Sequence, residues 1–575
     1  MWYRCLIAGI CCMTSTAVKA ESITLRILAT SDVHGHFTGF NYFSQRPEIN
    51  GLVHTATLIE QERASADISL LIENGDLIQG SPFTDYMVAA ASSQNPLPLA
   101  NLLNSIGYDA VNLGNHEFNY GLEYLSQAYA GVSAPILSAN LHATSSFAKQ
   151  HLTHKPYVII RKEVANTAAS TTVINIGLVG VLPPQIMQWD AHHLTNHVRV
   201  EPMYDAAQRA VKAVRDAGAD IVILVAHTGM PKQSSDGKDS EQGVWELAQL
   251  AGIDGIIFGH QHEVFPGTEV YDGLDQVDSK QGTVFGIPAV QPGVHAEHLG
   301  ILDFTLNYSK ERQGWVVLSK AARVERVTAA RNEALVDQLE PAHQATVAFM
   351  QQPIGHTQTT LSQQFARIEP TLAMQLIHDA QLWYIERYAL ANALPWTELP
   401  RLSAVAPFHA ALSASDDFTS IEGGAVTLGD IGDLYRYPNT LDVLVVTGKT
   451  LKVWLEDAAS ALQLGSADDR WSWIKTDIPS YQFDTFSGID YQINPSQPIG
   501  QRVETSPEIN DEQKYAVVTN NYRANGGGDI ADLDGSQIIY SSPDQIQHIL
   551  IEYLRFLGDK GYPATLRQNW KIDKN

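Results

Sequence analysis

The sequence predicts an α/β protein made of two domains that are joined by a helix. A chain of 575 residues is too long for one hydrophobic core, so two or more domains are expected. From residue 23 to about 305, short apolar runs alternate with helical patterns, as in a layered α/β domain. A stretch rich in Ala, Gln and Glu then precedes a second mixture of helical and strand patterns. We therefore place one domain at residues 21–325, a linker helix at 326–356 and a second domain at 357–575.

The first twenty residues are typical of a secretory signal peptide. A basic residue precedes an apolar stretch of roughly a dozen residues, and Val18-Lys19-Ala20 has the small residues of a cleavage site. The apolar stretch is too short for a membrane anchor, and the residues before Cys11 and Cys12 are larger than a lipid-attachment motif requires. We therefore expect cleavage near Ala20 and a periplasmic or secreted protein.

Cysteine and charge content limit the ligands of the mature chain. All three cysteines lie within the predicted signal peptide, so metal sites must use His and carboxylate ligands. The formal net charge of −25 becomes −27 when Arg4 and Lys19 are removed with the signal peptide. This acidity disfavours nucleic-acid polymers and anionic membranes as partners. A small phosphorylated ligand can still bind where a metal ion supplies local positive charge.

The elements of the first domain follow from apolar runs and helical spacing. The clearest helix covers residues 203–218, where Ala206, Ala210 and Val214 repeat on one face and Gly218 provides a stop signal. The apolar runs predict strands at Ile23–Thr30, Ile68–Ile72, Ala110–Leu113, Val173–Val181, Ile221–Ala226 and Gly255–Phe258.

The second domain begins with a long helix predicted at Glu369–Leu390. The segment LDVLVVTGKTLKVWLEDAASAL, residues 441–462, predicts a strand followed by a helix. Further along, YAVVTNNYRANGGGD predicts a strand that ends in a glycine-rich turn.

Potential metal ligands follow five of the predicted strands. In open α/β sheets, ligands bind beyond the carboxyl ends of the strands, so we expect these segments to converge in one crevice. Residues at i and i+2 of an extended segment point to the same side, which lets one segment present two ligands. The five segments are Asp32-Val33-His34, Asn74-Gly75-Asp76, Gly114-Asn115-His116, His227 and His260-Gln261-His262.

The chemistry of these side chains indicates the kind of ion. Oxygen and imidazole nitrogen without sulfur suit Mn, Zn, Co or Fe. Glycines precede several of the ligands, at positions where the backbone has to turn tightly. Each motif alone is weak evidence, but their joint occurrence after successive strands predicts two divalent metal ions.

These motifs together identify a resemblance. DVHGH, NGDLIQGSP, GNHEFNYG, AHTG and GHQHEVFPG resemble the dinuclear metallophosphoesterases with the 5'-nucleotidase domain arrangement, over nearly all the mature chain. The resemblance implies a four-layer α/β/β/α catalytic domain and an α/β substrate domain. PPQIMQWD, LYRYPNTL and NNYRANGGGD most resemble the branch that hydrolyses 2',3'-cyclic nucleotides to 3'-nucleotides and these to nucleosides, in the salvage of RNA breakdown products.

The resemblance also implies a ligand set. Asp32, His34 and His262 would hold one metal, and Asp76 would bridge it to the second. The second would be held by Asn115, His227 and His260. Two ions about 3.5 to 4 Å apart can activate a shared water and stabilise both oxygens of an in-line displacement at phosphorus.

His116 is the candidate catalytic residue. By the resemblance it faces the phosphoryl group, where it would stabilise transition-state charge and protonate the leaving group. In 5'-nucleotidases the residue three positions later is an Asp that orients this His, whereas this chain has Asn119. We hypothesise that Asn119 still fixes the imidazole ring.

Other histidines have weaker support. His192, His193 and His197 follow no strand end, so we expect an exposed segment and no metal ligation. His295 and His298 lie in a strand-turn context that leaves their role open.

The second domain should select the substrate. By the resemblance, two aromatic rings sandwich the base, and the matching positions are Tyr437 and Tyr522, with Asp529 as a hydrogen-bond acceptor. Stacking is worth about 1 to 3 kcal/mol per base and tolerates any base. Where 5'-nucleotidases carry an Asn-Gly-Gly-x-Arg segment, this chain has SAVAPFHAALSASDD, which favours the cyclic phosphodiesterase branch.

Two other functions are consistent with parts of the sequence. A 5'-nucleotidase or UDP-sugar hydrolase would share the metal centre and differ in the second domain. A non-catalytic secreted binding or adhesion protein would have no need for seven placed ligands. We expect a monomer whose partners are small nucleotides.

Overall fold

A computed structural model describes most of the chain. The expected signal peptide, its cleavage site near Ala20, and Asp529 lie outside the described residues. Within the described part of the chain, no helix combines the length and apolar character needed to span a bilayer. The described residues are 22–43, 45–91, 98–165, 171–231, 241–267, 269–309, 311–392, 395–437, 439–466, 468–528 and 533–573.

Two mixed sheets form the centre of the first domain. The first is six-stranded, in the spatial order Gly314–Arg326, His298–Ser309, Ile23–Thr30, Ile68–Glu73, Ala110–Asn112 and Ile136–Leu137. The second has the spatial order Val277–Asp278, Thr283–Val284, Ile287–Pro292, Gly255–Phe258, Ile221–Ala226, Thr171–Val181 and Tyr157–Ala165, with Val264–Phe265 paired to Ile287–Pro292.

Side-chain alternation along the strands explains why the two sheets stack. Leu25 and Ile27 of the first sheet meet Ile223 of the second in an apolar layer between the sheets. The neighbouring Leu28 and Leu224 face the other way, toward helices. Because successive strand residues point to opposite faces, fully apolar strands are buried on both sides.

Helices cover both outer faces, which gives four layers in the order α/β/β/α. The predicted helix at 203–218 is observed at Met203–Asp216, and it packs its Ala and Val face on the second sheet. The helices and short two-stranded pairs of this domain are Leu52–Ala64, Pro82–Ala91, Leu99–Ile106, Gly121–Ala128, Ser146–His151, Ile186–Trp189, Ala191–Leu194, Met203–Asp216, Val244–Leu247 and the 3-10 helix His116–Phe118, with strands Phe40–Asn41, Arg46–Pro47, Leu141–Ala143 and Val198–Val200.

A helix at Glu333–Met350 lies within the segment that the sequence predicts as a linker. It begins at Asn332, whose side chain accepts a hydrogen bond from the backbone N–H of Leu335. This contact is an N-cap, which satisfies one of the free N–H groups at the start of a helix. Leu335 and Leu339 pack into the core of the first domain.

The C-terminal part is built around a five-stranded sheet with helices on both faces. Val443 and Val518 face Ile377 on one side, whereas Leu444 faces Trp454 on the other. The predicted α/β class of both parts is therefore confirmed. The sheet order is Thr485–Ser487, Arg401–Val405, Lys514–Asn520, Thr440–Thr447 and Ile538–Gln545.

The remaining C-terminal elements frame this sheet. A three-stranded sheet has the order Val503–Ser506, Asp490–Ile493 and Trp570–Ile572, and two pairs join Pro353–Thr357 to Gly424–Thr427 and Leu361–Ser362 to Ser420–Ile421. The helices are Leu372–Asn392, Leu428–Leu434, Gly448–Ala459, Asn521–Ala524 and Ile546–Leu557, with 3-10 helices Pro395–Glu398, Arg470–Trp473, Ser480–Gln482 and Gly558–Lys560.

Candidate metal centre

The strand ends of both sheets meet in one place. The strands Ile23–Thr30, Ile68–Glu73 and Ala110–Asn112 run parallel, as do Ile221–Ala226 and Gly255–Phe258. Their carboxyl ends therefore lie at the same edge of their sheets. The five predicted ligand segments converge there, and the side chains form two groups of donor atoms.

The first group consists of Asp32, His34 and His262, whose ligand atoms lie within 4.8 Å of one another. Asp32 is fully buried and His34 almost so, whereas His262 is 44% exposed. The loop from Asp32 to His34 is held by backbone bonds from Asp32 N to Gly75 O and from His34 N to Asp76 O, at 3.0 and 2.8 Å. These bonds join the first ligand segment to the second.

The second group consists of Asp76, His227 and His260, again within 4.8 Å of one another. Asn115 lies between the two histidines, with its Oδ1 3.1 Å from His227 Nε2 and 2.9 Å from His260 Nδ1. Asp76 Oδ2 is 3.0 Å from His227 Nε2 and 3.9 Å from His34 Nε2. Asp76 therefore faces both groups, as a bridging ligand would.

Gly114 leaves room for this packing. A Cβ at this position would lie 2.6 Å from the backbone N of Asp76 and 2.8 Å from Cε1 of His227, and would also collide with the Asp76 carboxylate. A larger residue would push the second and third ligand segments apart. The glycine before Asn115 is thus a packing requirement of the site.

Hydrogen bonds to one ring nitrogen of His34, His227 and His260 fix the ring orientation and leave the other nitrogen facing the ligand groups. His34 Nδ1 lies 3.0 Å from Gln79 O, and His227 Nδ1 lies 2.7 Å from Asn74 O. His260 Nε2 lies 2.7 Å from Glu241 Oε1. Since these oxygens only accept, the facing nitrogens carry the protons in the neutral rings.

The nitrogens on the opposite edges of these rings therefore face other ligand atoms. His34 Nε2 faces His262 Nε2 at 3.1 Å, and His227 Nε2 and His260 Nδ1 both face Asn115 Oδ1. A cation placed between these nitrogens and oxygens could be bound by all of them. Imidazole, carboxylate and amide donors without sulfur fit Mn, Zn, Co or Fe, so the residues present fit the two divalent ions that the sequence predicts.

The backbone at these ligands is strained. The φ angle is 53° at Asp32, 48° at His34, 58° at Asp76, 72° at His260 and 63° at His262. A non-glycine residue in the left-handed region costs roughly 1 to 2 kcal/mol. Strain of this kind persists at functional sites where surrounding contacts fix the conformation.

The charges in the site are strongly coupled. Burial opposes a positive charge on His227, but Asp76 at 3.0 Å and Asp32 at 3.9 Å raise its pKa to about 10. Burial also opposes the charge on Asp76, but His227 and His116 hold the pKa of Asp76 well below its ordinary value. Burial and the neighbouring His262 lower the pKa of His34 well below its ordinary value. A cation in the second group would therefore have to displace the proton of His227.

His116 lies beside both groups at the mouth of the site. Its side chain is 30% exposed, and its Nε2 is 4.0 Å from Asp76 Oδ2. Its Nδ1 lies 2.6 Å from Asn119 Oδ1, as expected if Asn119 orients the ring. Asn119 Nδ2 in turn donates to Asp190 Oδ1 at 2.9 Å. Burial raises the pKa of Asp190 to about 6.

Sequence reasoning missed three carboxylates that support the site. Glu117 is fully buried and accepts backbone hydrogen bonds from Asp76, Leu77 and Gly114 at 2.7 to 2.8 Å. Glu241 and Asp190 approach His260 and Asn119 from other segments. Glu117 stood within the GNHEFNYG motif, but no spacing rule indicates the other two.

Two further predictions on histidines can be compared with the structure. His193 was expected on an exposed segment, which is wrong: it is half-buried, and its Nε2 lies 3.1 Å from Asn119 O because the helix Ala191–Leu194 packs against that loop. His295, left open by the sequence, stacks on His36 with ring centroids 3.7 Å apart. Neither residue belongs to the two groups of donor atoms found among the described residues.

The aromatic residues predicted to bind the base are accessible. Tyr437 and Tyr522 are 47% and 48% exposed. Tyr437 packs edge-on against Phe408, with ring centroids 5.0 Å apart. The face of the Tyr522 ring lies against Gly527, where a Cβ would be 2.6 Å from three ring atoms.

A buried ion pair holds the loop of Tyr522. Arg523 Nε lies 2.7 Å from Asp484 Oδ2, and both side chains are 2% exposed. Arg523 also donates to the backbone oxygens of Gly527 and Tyr481. The glycine-rich turn is thus fixed relative to the C-terminal sheet.

Comparisons with known proteins define the class. A four-layer α/β/β/α domain with two adjoining groups of metal donors is the arrangement of a metal-dependent phosphoesterase. The family described as calcineurin-like phosphoesterase matches residues 25–264, and the family described as 5'-nucleotidase, C-terminal domain, matches residues 353–534.

Individual relatives refine this class. The chain is 35% identical to a 2',3'-cyclic-nucleotide 2'-phosphodiesterase/3'-nucleotidase of Salmonella typhimurium, over 97% of this chain and 90% of the relative. It is 33% identical to the trifunctional nucleotide phosphoesterase protein YfkN of Bacillus subtilis over 96% of this chain, but spans only 39% of that protein's length. A solved 5'-nucleotidase precursor from Thermus thermophilus shares the fold, with a TM-score of 0.57 at 20% identity over 96% of this chain and all of that one. The chain therefore belongs to the 5'-nucleotidase family of metallophosphoesterases, and within it to the group of 2',3'-cyclic-nucleotide 2'-phosphodiesterase/3'-nucleotidases.

Proposed function

We propose that this protein hydrolyses 2',3'-cyclic nucleotides to 3'-nucleotides, and 3'-nucleotides to nucleoside and phosphate. Relatives that carry the names of these two activities are 33 to 35% identical to nearly the whole chain. The observation that carries the proposal is the convergence of two groups of carboxylate and imidazole ligand atoms, which lie within 4.8 Å of one another in each group. Such an arrangement serves to bind cations.

The residues divide into two metal sites. Asp32, His34 and His262 would hold one ion, Asn115, His227 and His260 the other, and Asp76 both. When bound, two ions of Mn, Zn, Co or Fe supply a water nucleophile at neutral pH and neutralise charge on the phosphoryl oxygens.

His116 then acts on the phosphoryl group. Its Nδ1–H is bonded to Asn119, so its Nε2 faces the space in front of Asp76. Protonated at Nε2, the ring stabilises negative charge in the transition state and can pass a proton to the departing sugar oxygen. The partial exposure of His116 leaves this face open to substrate.

The second domain would bind the nucleoside. Tyr437 and Tyr522 stack on the base, and Asp529, which lies outside the described residues, accepts a hydrogen bond from the ligand. Ring stacking does not discriminate strongly between bases. We therefore expect low base selectivity and nucleotides rather than polymers as substrates.

The cellular location belongs to the same proposal. Removal of residues 1–20 would release the protein into the periplasm or medium, where nucleotides from RNA breakdown are dephosphorylated before uptake of the nucleosides. We expect a monomer.

Phosphate release from 2',3'-cyclic AMP, 3'-AMP and 5'-AMP tests the proposal. We expect turnover of the first two, loss of activity with a chelator and recovery with Mn²⁺. The His116→Gln variant should lose activity, whereas His142→Gln should retain it, because His142 is bonded to Glu201 and is in neither of the two ligand groups found among the described residues. A wide preference for 5'-AMP would assign the chain to the 5'-nucleotidases instead. A lack of turnover with all three would indicate a binding protein.

A further inference from the structure

The segment Ile186–Trp189, with Asp190 after it, contacts one of the proposed metal ligands and the residue that is bonded to His116. The Trp189 ring stacks on the His260 ring, with centroids 5.8 Å apart and an interplanar angle of 23°. The Asp190 carboxylate accepts a hydrogen bond from Asn119 on the other side. The motif PPQIMQWD therefore delivers two consecutive side chains to the site, and neither has a role in the proposed function so far.

The position of Asp190 is fixed. It is 3% exposed, and its backbone oxygen accepts hydrogen bonds from the N–H groups of His193 and Leu194 at 2.9 and 3.0 Å. Its Oδ1 is bonded to Asn119, while its Oδ2 has no hydrogen-bond partner among the described residues. Burying a carboxyl group with one unbonded oxygen costs free energy. Stabilisation of the fold alone therefore does not explain why this position holds an Asp.

The chain of hydrogen bonds has a defined direction. A carboxylate only accepts, so the amide NH₂ of Asn119 must face Asp190. The amide oxygen of Asn119 must then face His116, at 2.6 Å. That oxygen requires a proton on His116 Nδ1, so Nε2 is the nitrogen presented to the substrate.

Without the hydrogen bond to Asp190, the Asn119 amide could rotate about its Cβ–Cγ bond. Rotation of the Asn119 amide by 180° would place its NH₂ group against the Nδ1–H of His116. Two donors would then face each other, and the imidazole would have to rotate or change its tautomer. A carboxylate at position 119, as in 5'-nucleotidases, accepts at both oxygens and cannot fail in this way.

We propose that Asp190 is a positioning residue that fixes the amide orientation of Asn119 and, through it, the ring orientation and tautomer of His116. This proposal rests on the proposed function only in taking His116 to act on the phosphoryl group. Asp190 itself does not touch the substrate.

A double-mutant cycle tests whether Asp190 acts through Asn119. We expect Asp190→Ala and Asn119→Ala each to lower kcat about tenfold, the lower end of the loss produced by removing outer hydrogen-bond partners. KM should change less than about twofold, because the ground state keeps its contacts. The double variant should be no slower than the slower single variant. Bis(p-nitrophenyl) phosphate is the substrate, since its hydrolysis does not depend on nucleotide recognition.

Reversal of the hydrogen bonds provides a rescue. In the double variant Asn119→Asp with Asp190→Asn, the carboxylate at position 119 accepts a hydrogen bond from His116. The amide at position 190 donates a hydrogen bond to the same carboxylate. We expect kcat within about threefold of the wild-type value. Asp85→Asn is the matched control, because Asp85 is a partly buried carboxyl group that accepts a hydrogen bond from the neighbouring Tyr120 at 3.1 Å. This control should leave kcat unchanged.

The same double-mutant cycle can be measured without turnover, from the affinity of each variant for orthovanadate by calorimetry. All variants should contain two metal ions per chain and unfold at the wild-type temperature. Multiplicative losses in the double variant, failure of the rescue, or an equal loss in Asp85→Asn would overturn the role of Asp190. Normal cycle results together with no release of phosphate from 3'-AMP would instead refute the proposed substrates and leave the role of Asp190 standing.

Discussion

Removal of the Glu241 carboxylate should weaken one metal site and leave the other intact. Glu241 Oε1 lies 2.7 Å from His260 Nε2, and His260 presents Nδ1 to the second group. Burial opposes the charge on Glu241, but the hydrogen bond from His260 lowers its pKa, so it is ionised at neutral pH. Outer partners of this kind contribute 10- to 100-fold to metal affinity. Because the Glu241 side chain is 39% exposed, water can replace part of the interaction, and we expect about tenfold, or about 1.4 kcal/mol, in Glu241→Ala.

Stepwise removal of Mn²⁺ by a competing chelator measures this effect. One ion per chain should leave at about a tenfold lower chelator concentration than in the wild type, and the other at the wild-type concentration. Glu241→Gln keeps an accepting oxygen without its charge. The chelator concentration that removes its weaker-bound ion should lie between those of Glu241→Ala and the wild type. Glu246→Ala is the control, since Glu246 lies in the next helix and its carboxylate has no hydrogen-bond partner among the described residues. Equal weakening of both ions, or of neither, would refute the assignment of Glu241 to the second site.

Three further predictions concern protons, the base site and backbone strain. Since Asp76 and Asp32 outweigh burial and raise the pKa of His227 to about 10, its proton must leave when a metal binds. Metal affinity should therefore rise with pH up to about 10, and calorimetry in buffers of different ionisation enthalpy should detect proton release; equal heats would contradict this. Gly527→Ala should displace the Tyr522 ring and raise KM for 3'-AMP, but it should not change the hydrolysis of bis(p-nitrophenyl) phosphate. Gly273→Ala is the control; a Cβ there meets open space, so neither reaction should change. His262→Gly should be more stable without metal than His262→Ala, by about 1 kcal/mol in urea unfolding, because φ is positive there; the opposite order would show that the strain is absent.

The central strands could be predicted from the sequence because they are buried on both faces. Ile23–Thr30, Ile221–Ala226 and Gly255–Phe258 have the predicted bounds. In contrast, Tyr157–Ala165 and Gly314–Arg326 were not predicted. Both lie at sheet edges, where charged and exposed residues interrupt the apolar pattern, and their pairing depends on distant strands.

The candidate metal donors were accessible to sequence reasoning for a related reason. His227 comes directly after a buried parallel strand and Asp76 three residues after another, and the topology brings such strand ends together. The residues that orient the donors obey no such rule. Glu241 and Asp190 reach the site from loops and short helices, so only the folded structure shows that they meet His260 and Asn119.

The positive φ angles connect the fold to the chemistry. Five of the seven proposed ligands have left-handed backbones. At roughly 1 to 2 kcal/mol each, their strain is comparable with the whole free energy of unfolding of a domain. Backbone hydrogen bonds such as His34 N to Asp76 O, and the carboxylate of Glu117, offset part of it. Bound ions would offset more, because a ligand present at 100 times its Kd adds about 2.7 kcal/mol. The site therefore stores strain that only the complete set of loops, carboxylates and cations can balance, and this couples the stability of the first domain to the occupancy of its metal centre.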